Sequence, residues 1–150
     1  DGVAECISYT TAERWYLRFT SGGVGSWVKV QNQIFPMSKY QPTLGVGWWH
    51  YQDWGGGGFA RVNYHKTIDG MVGLTGLLYA DYGYATNGAV IFTLPVGYRP
   101  QDTLIFNMRS DSSAGHSRIE IKWDGTVRFA SASNSASWVS LAGITFPADH

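Results

Sequence analysis

The strongest constraint on the fold is the alternation of apolar and polar side chains on both sides of an Asp-Gly pair. Residues 117–122 (SRIEIK) and 126–130 (TVRFA) each place apolar side chains on one face and polar ones on the other. This two-residue period is typical of half-buried strands. Asp124-Gly125 lies between them and favours a tight turn, because these residues tolerate positive φ. The sequence therefore predicts an antiparallel hairpin over 117–130.

Other segments also have the pattern of strands. Residues 89–94 (AVIFTL) and 103–109 (TLIFNMR) are nearly continuous apolar runs, which indicates strands buried on both faces. Residues 59–66 (FARVNYHK) alternate and lead through Asp69-Gly70 into residues 71–78 (MVGLTGLL). Two short strands at 136–141 and 143–146 complete the set. With 19 Gly and 15% aromatic residues, the sequence predicts an all-β chain of short antiparallel strands.

The N-terminal part has a different texture. Residues 15–20 and 26–30 predict a hairpin, and the stretch from Pro36 to Pro42 is typical of a linker. We therefore predict two parts: a small segment with its linker over residues 1–40, and a β-sandwich over residues 41–150.

Composition narrows the function. Lys plus Arg and Asp plus Glu both number 11, and a neutral chain lacks the basic patch of a protein that binds nucleic acid. No apolar run approaches the roughly 20 residues of a spanning helix, so membrane insertion is not expected. Cys6 is the only cysteine, which excludes an intrachain disulfide. Abundant aromatic residues and only 15% charged residues fit a chain that buries surface in a rich core or against copies of itself.

Two stretches resemble known families. The first runs from Tyr9 to Val30 (YTTAERWYLRF, then GSWVKV). It resembles the pyocin-knob unit of tail fibres, in which an aromatic-x-Arg strand precedes a Trp-Ser-x-Trp-like strand. Ser26-Trp27 keeps only the second half of that signature.

The second resemblance covers the chain from Gly47 to Phe146. Its most specific parts are the Leu-Pro-x-Gly-Tyr-Arg-Pro block at 94–100 and the Ser-Leu-x-Gly-Ile block at 140–144. Their order resembles the C-terminal head domains of phage tail fibres and receptor-binding proteins. The resemblance implies an antiparallel β-sandwich of the jelly-roll or tumour-necrosis-factor type, placed at the distal tail fibre of a virion. It also implies attachment to a bacterial host.

We expect the head to form a homotrimer, since two apolar strands at 89–94 and 103–109 would leave an exposed hydrophobic face on a single sandwich.

The connections between antiparallel strands alternate between two ends of a sandwich. One end is expected to hold the turns 67–70, 95–102 and 123–125. The other is expected to hold the loops 51–58, 79–88, 110–116 and 131–136. The second set is rich in Tyr, Trp, Asp, Ser, Asn and Gly, and loops on a rigid scaffold commonly carry binding.

The composition of these loops suits a saccharide. Aromatic rings stack on the apolar C–H faces of sugars, and carboxylates bind their hydroxyls. We predict that the loops bind a bacterial surface glycan: a polysaccharide, a lipopolysaccharide or a teichoic-acid sugar. The predicted platforms are Trp54, Tyr82 and Tyr84, and the predicted polar partners are Asp81, Asp111 and His116. Trp48 and Trp49 are assigned to the core.

The sequence has few features of a catalytic or metal site. The four histidines have no metal-ligand spacing, and the chain has no Gly-x-Ser-x-Gly motif. We therefore predict no catalysis, no metal and no cofactor. Two other functions stay open: a structural domain that drives trimerisation and folding of a fibre, and an accessory module of a polysaccharide depolymerase. Glycosidic cleavage normally needs two facing carboxyls, and loop aspartates such as Asp53, Asp81 and Asp111 could supply them.

Overall fold

The computed structural model describes residues 2–7, 14–20, 23–30, 38–55, 57–131 and 136–148. The chain divides into two compact units, Asp1–Pro36 and Met37–His150. The first unit contains the strands β1 (Gly2–Ile7), β2 (Arg14–Thr20) and β3 (Gly23–Val30) in a three-stranded antiparallel sheet of order β1-β2-β3. The β2–β3 pairing confirms the N-terminal hairpin.

The second unit is an antiparallel β-sandwich, as predicted. Its strands are β4 (Trp48–His50), β5 (Asn63–Lys66), β6 (Met71–Thr75), β7 (Leu77–Ala80), β8 (Val90–Thr93), β9 (Leu104–Arg109), β10 (His116–Ile121), β11 (Thr126–Phe129), β12 (Trp138–Ser140) and β13 (Thr145–Pro147). A 3₁₀ helix spans Tyr51–Trp54. Within the described residues, no helix has the length and apolarity needed to cross a membrane.

The first layer is the four-stranded sheet β8-β11-β10-β9. It contains the predicted hairpin, in which β10 and β11 pair with Ile121 opposite Val127. The loop has three residues, because Lys122 donates to the Thr126 carbonyl (2.9 Å) and Gly125 donates to the Lys122 carbonyl (2.8 Å). Gly125 has φ 89°, the left-handed position that a three-residue loop requires.

The second layer consists of two three-stranded sheets placed end to end, β12-β7-β4 and β13-β6-β5. Its strands therefore form three rows, each interrupted in the middle. The central row is β7 and β6, separated by Gly76. β4 pairs with β7 and β5 with β6 on one side, while β12 pairs with β7 and β13 with β6 on the other. The interruption explains why two predicted strands, 59–66 and 71–78, are wrong in length. At residues 59–62 the Ala60 carbonyl accepts the Leu77 N–H across the break at 3.1 Å.

Alternate side chains of both layers form the core. Trp48 lies 6.0 Å from Phe129 between ring centroids, and Phe106 lies 6.4 Å from Phe146. The core assignment of Trp48 is confirmed, since it is 3% exposed. The prediction that both faces are buried is wrong for β9. In this strand the exposed residues Ile105, Asn107 and Arg109 alternate with half-buried ones. β9 is an edge strand with only one face on the core.

The two ends of the sandwich follow the predicted parity with one exception. Lys66 Nζ donates to the Gly97 carbonyl at 3.0 Å, which joins the turns 67–70 and 95–102. The loops 79–88 and 110–116 meet at the other end, near Ser137. The exception is 51–58. β4 and β5 belong to one row, so this segment is part of an insertion in the middle of that row. It therefore does not connect two strands at an end of the sandwich. Of the loop 131–136, residues 132–135 lie outside the described residues.

Candidate functional site

Three aromatic side chains line up across the outer face of the second layer. Tyr79 in β7 pairs with Trp138 in β12 and with Trp49 in β4, and directly opposite residues of antiparallel strands share a face. Their neighbours Leu78, Val139 and Trp48 are buried. The same alternation therefore turns Trp49, Tyr79 and Trp138 outward. The core assignment of Trp49 is wrong for this reason, since it is 49% exposed.

The insertion between β4 and β5 adds three aromatic rings to these three side chains. Trp54 stacks on Tyr79 with centroids 4.0 Å apart and 18° between the planes. Tyr51 packs edge-on against Phe59 (5.2 Å) and Tyr79 (6.5 Å). We call the six residues Trp49, Tyr51, Trp54, Phe59, Tyr79 and Trp138 the aromatic face. Trp54 is still 58% exposed, so stacking fixes the orientation of the indole and leaves much of its surface open to a ligand.

Two polar contacts hold the insertion in place. The Val62 N–H donates to His50 Nδ1 at 3.1 Å, which closes the base of the insertion. Arg61 and Asp53 form an ion pair within it. Burial, and then the positive charge of Arg61, lower the pKa of His50, while Asp53 opposes them. The neutral imidazole is thus favoured, which is the form that accepts the Val62 hydrogen bond.

An apolar groove of about 440 Å³ lies on one side of the aromatic face. Tyr51 and Phe59 from the insertion form one wall, and Leu77 and Trp138 from the sheet form the other. Three side chains bring polar groups to its lining: Ser140, Tyr51 with its hydroxyl and Trp138 with its indole N–H. Ser140 Oγ accepts the Ala142 N–H at 3.2 Å.

A polar pocket of about 280 Å³ lies on the other side of Tyr79. Its lining includes Asp81, Tyr82 and Ser137. Asp81 Oδ2 accepts the indole N–H of Trp49 at 2.9 Å, which ties the carboxylate to the aromatic face. Among the residues that the structure describes, Asp81 Oδ1 takes no hydrogen bond, and it is available to a ligand hydroxyl.

Four of the six predicted site residues lie at or beside these features. Trp54 is on the aromatic face, and Asp81 and Tyr82 line the polar pocket. Tyr82 is 100% exposed. Tyr84 packs its ring on the backbone of Gly47, where any larger residue would clash with it. The Tyr84 N–H donates to the Asp81 carbonyl at 3.0 Å, so its backbone lies next to Asp81, whereas its side chain is not part of the pocket lining.

The other two residues have different positions. Asp111 Oδ1 accepts the N–H groups of Ser137 (2.7 Å) and Trp138 (3.0 Å). It therefore positions the start of β12, and removing it would disturb that strand as well as any ligand contact. His116 is exposed at the first residue of β10, paired with Arg109 on the other layer. No described contact joins it to the aromatic face.

Sequence reasoning missed Tyr51, Phe59, Tyr79 and Trp138 and misassigned Trp49. The signal for Tyr79 and Trp138 was alternation with buried neighbours in strands only three or four residues long. Tyr51 and Phe59 depend on how the insertion folds back, which no local pattern indicates.

The carboxylates named as possible catalytic partners all have other contacts. Asp53 pairs with Arg61, Asp81 binds Trp49, and Asp111 binds two backbone N–H groups. Over residues 38–55, 57–131 and 136–148, no three His, Cys, Asp or Glu side chains converge as a metal site requires.

Comparison with known proteins identifies the fold. No family model matches the sequence, and no curated protein matches it. Among solved structures, the receptor-binding protein (gp15) of Listeria phage PSA matches with a TM-score of 0.61 and 15% identity, over 76% of this chain. The fold is similar to that of a phage receptor-binding protein. This chain spans 66% of the length of that protein.

The similarity agrees with the fold implied by the second sequence resemblance. At 15% identity it concerns the fold alone. The pyocin-knob resemblance of the N-terminal segment stays a prediction.

Proposed function

We propose that this chain attaches a phage, or a phage-tail-like particle, to its bacterial host by binding a cell-surface glycan through the aromatic face and the polar pocket. The observation that carries the proposal is the aromatic row Trp49, Tyr79 and Trp138, with Trp54 stacked on it and the Asp81 carboxylate beside it. The similarity to a phage receptor-binding protein supports the same reading.

The aromatic face has the properties that sugar binding requires. A pyranose presents apolar C–H groups on its faces and hydroxyls at its rim. Trp and Tyr rings offer a large contact area with little side-chain entropy to lose. Here the Trp54 ring is already stacked on Tyr79, and this preorganisation reduces the entropic cost of binding.

The contacts of the carboxylates favour binding over hydrolysis. Cleavage by a pair of carboxyls requires an acid together with a second carboxylate that acts as base or nucleophile, and the two flank the scissile bond. Asp53 and Asp111 are engaged in contacts that stabilise the insertion and β12. We therefore propose a non-enzymatic module.

The proposal includes self-association as a homotrimer at the distal tail. A row across the outer face of the first layer supports it: Val90 pairs with Arg128, Arg128 with Glu120, and Glu120 with Ile105. Glu120 is buried under Arg118 and Arg128, whereas Val90 and Ile105 at the two ends are exposed. Exposed apolar side chains on both sides of a carboxylate that is already paired with two arginines suit a contact with another copy of the chain.

An array of bacterial surface polysaccharides, lipopolysaccharides and teichoic acids tests the proposal. We expect the purified chain to bind a restricted set of these glycans and to leave them uncleaved. Binding to none of them, combined with attachment to cells that protease treatment abolishes, would point to a protein receptor and contradict the proposal.

A further inference from the structure

The two cavities beside the aromatic face differ in chemistry. The apolar groove is walled by Tyr51, Phe59, Leu77 and Trp138, whereas the polar pocket contains Asp81 and Ser137. Leu77 and Asp81 stand four residues apart along the same row, which corresponds to about 13 Å at the rise of a strand. That span is longer than one sugar ring, so a ligand in contact with both cavities has at least two sugar units.

The charges of the two linings restrict the ligand further. Asp81 is the one ionisable carboxylate in either lining, and no Lys or Arg belongs to the described lining of either cavity. Arg61, the cation of the insertion, is paired with Asp53. A uronic acid or a phosphate in this position would meet a negative charge without a compensating cation. Charge complementarity therefore favours a neutral glycan.

The apolar groove favours a ligand with an apolar substituent. A bare hexose surrounds its ring with hydroxyls, and burying those that find no partner among Tyr51, Trp138 and Ser140 is unfavourable. A methyl group, from an acetamido or O-acetyl substituent or from a 6-deoxy sugar, loses no hydrogen bond on entering. The Ser140 hydroxyl lies in the same lining and can bind the acyl oxygen.

We infer that the aromatic face recognises a neutral glycan of at least two units, in which one unit places an acyl or deoxy methyl group in the apolar groove and the next unit presents hydroxyls to Asp81. This inference rests on the proposed function. It specifies the ligand class and the orientation of the glycan along β7.

Pairs of monosaccharides that differ at one group test the ligand class. N-acetyl-D-glucosamine is compared with D-glucose, and L-rhamnose with L-mannose, to test the methyl requirement. D-glucuronic acid is compared with D-glucose to test the preference for a neutral sugar. Binding is followed by NMR on the indole N–H signals, with the Trp138 signal assigned from Trp138→Phe. An apolar pocket discriminates a missing methyl-sized group by roughly ten- to two-hundredfold. We expect at least one methyl-bearing sugar to shift the Trp138 signal with a dissociation constant about tenfold below that of its counterpart.

Two further comparisons locate the methyl group and the second unit. Ala142→Phe fills the groove from an exposed position and should abolish the preference. Val96→Phe, exposed in the turn 95–102 at the other end of the sandwich, should leave it unchanged. The Trp49 indole donates to Asp81, so its signal reports on the polar pocket. N,N′-diacetylchitobiose should therefore shift both the Trp49 and the Trp138 signals.

Several results would overturn the inference: equal binding of the paired sugars, tighter binding of glucuronic acid than of glucose, a preference that survives Ala142→Phe, or no sugar that shifts the Trp138 signal. If bacterial glycans on the array still bind in any of these cases, the proposed function stands and only the assigned ligand class is wrong. If no glycan on the array binds either, the proposed function is wrong as well.

Discussion

At the scale of single residues, Gly125 is a position at which the fold depends on the absence of a side chain. It has φ 89°, and a Cβ there would clash with the Leu94 carbonyl and lie 2.8 Å from Arg99 Nε. Gly143 has a similar φ of 96°, but a Cβ there meets nothing within 4 Å. Comparing substitutions at Gly125 and Gly143 therefore separates the cost of backbone strain from the cost of crowding.

We expect Gly143→Ala to lower the free energy of unfolding by about 1–2 kcal/mol, the cost of a left-handed residue with a Cβ. Gly125→Ala should lower it by a further 1–3 kcal/mol, roughly the cost of overpacking. Urea denaturation measures both values. Equal losses at the two positions would show that the turn tolerates the extra atom, in contradiction to the geometry described here.

At the scale of elements, the insertion between β4 and β5 should respond to pH. His50 accepts the Val62 N–H only when neutral, and its pKa is lowered below the value of 6.5 that it has in an unfolded chain. The unfolded state then binds the proton more readily than the folded state. The contribution of His50 to stability is therefore complete above pH 6.5 and is lost as the pH falls below that value.

Thermal unfolding from pH 8 to pH 5 checks this expectation. His50→Asn keeps an acceptor near the position of Nδ1 but does not titrate. We expect the stability of the wild-type chain to decrease relative to that of the variant as the pH falls, with a lower protection factor for the Val62 amide proton, measured against its intrinsic exchange rate at each pH. Parallel pH profiles of the two proteins would mean that His50 does not hold the insertion.

Elements also mark the limit of what the sequence predicts. The hairpin 117–130 was predicted correctly because alternation and an Asp-Gly turn agree over a long segment. The strands 59–66 and 71–78 were wrong in length because the break at Gly76 depends on the backbone of Ala60 and Arg61 packing against Gly76 and Leu77. Loop parity predicted correctly that the loops 79–88 and 110–116 lie at the same end of the sandwich. It failed for 51–58, since no local signal shows that β4 and β5 form one row.

At the scale of the whole molecule, the oligomeric state tests the fibre role. We expect three chains by light scattering at micromolar concentration. Ile105→Asp puts a charge on the outer face of the first layer and should shift the chain towards monomers. Ile68→Asp is the control, since Ile68 is 95% exposed in the turn 67–70. A wild-type monomer, or a trimer unaffected by Ile105→Asp, would contradict the proposed contact.

The central claim is that the aromatic face is where the glycan binds, and matched tryptophan substitutions test it most directly. Trp54 and Trp123 are similarly exposed, at 58% and 64%, but Trp123 lies in the hairpin turn at the other end of the sandwich. The affinity of each variant for the best glycan of the array is measured by interferometry. We expect Trp54→Ala and Trp138→Ala each to lose about 1–3 kcal/mol, roughly ten- to a hundredfold in affinity, and Trp123→Ala to bind like the wild type. Loss of binding in Trp123→Ala with full binding in the other two would place the receptor site at the turn end and contradict the account.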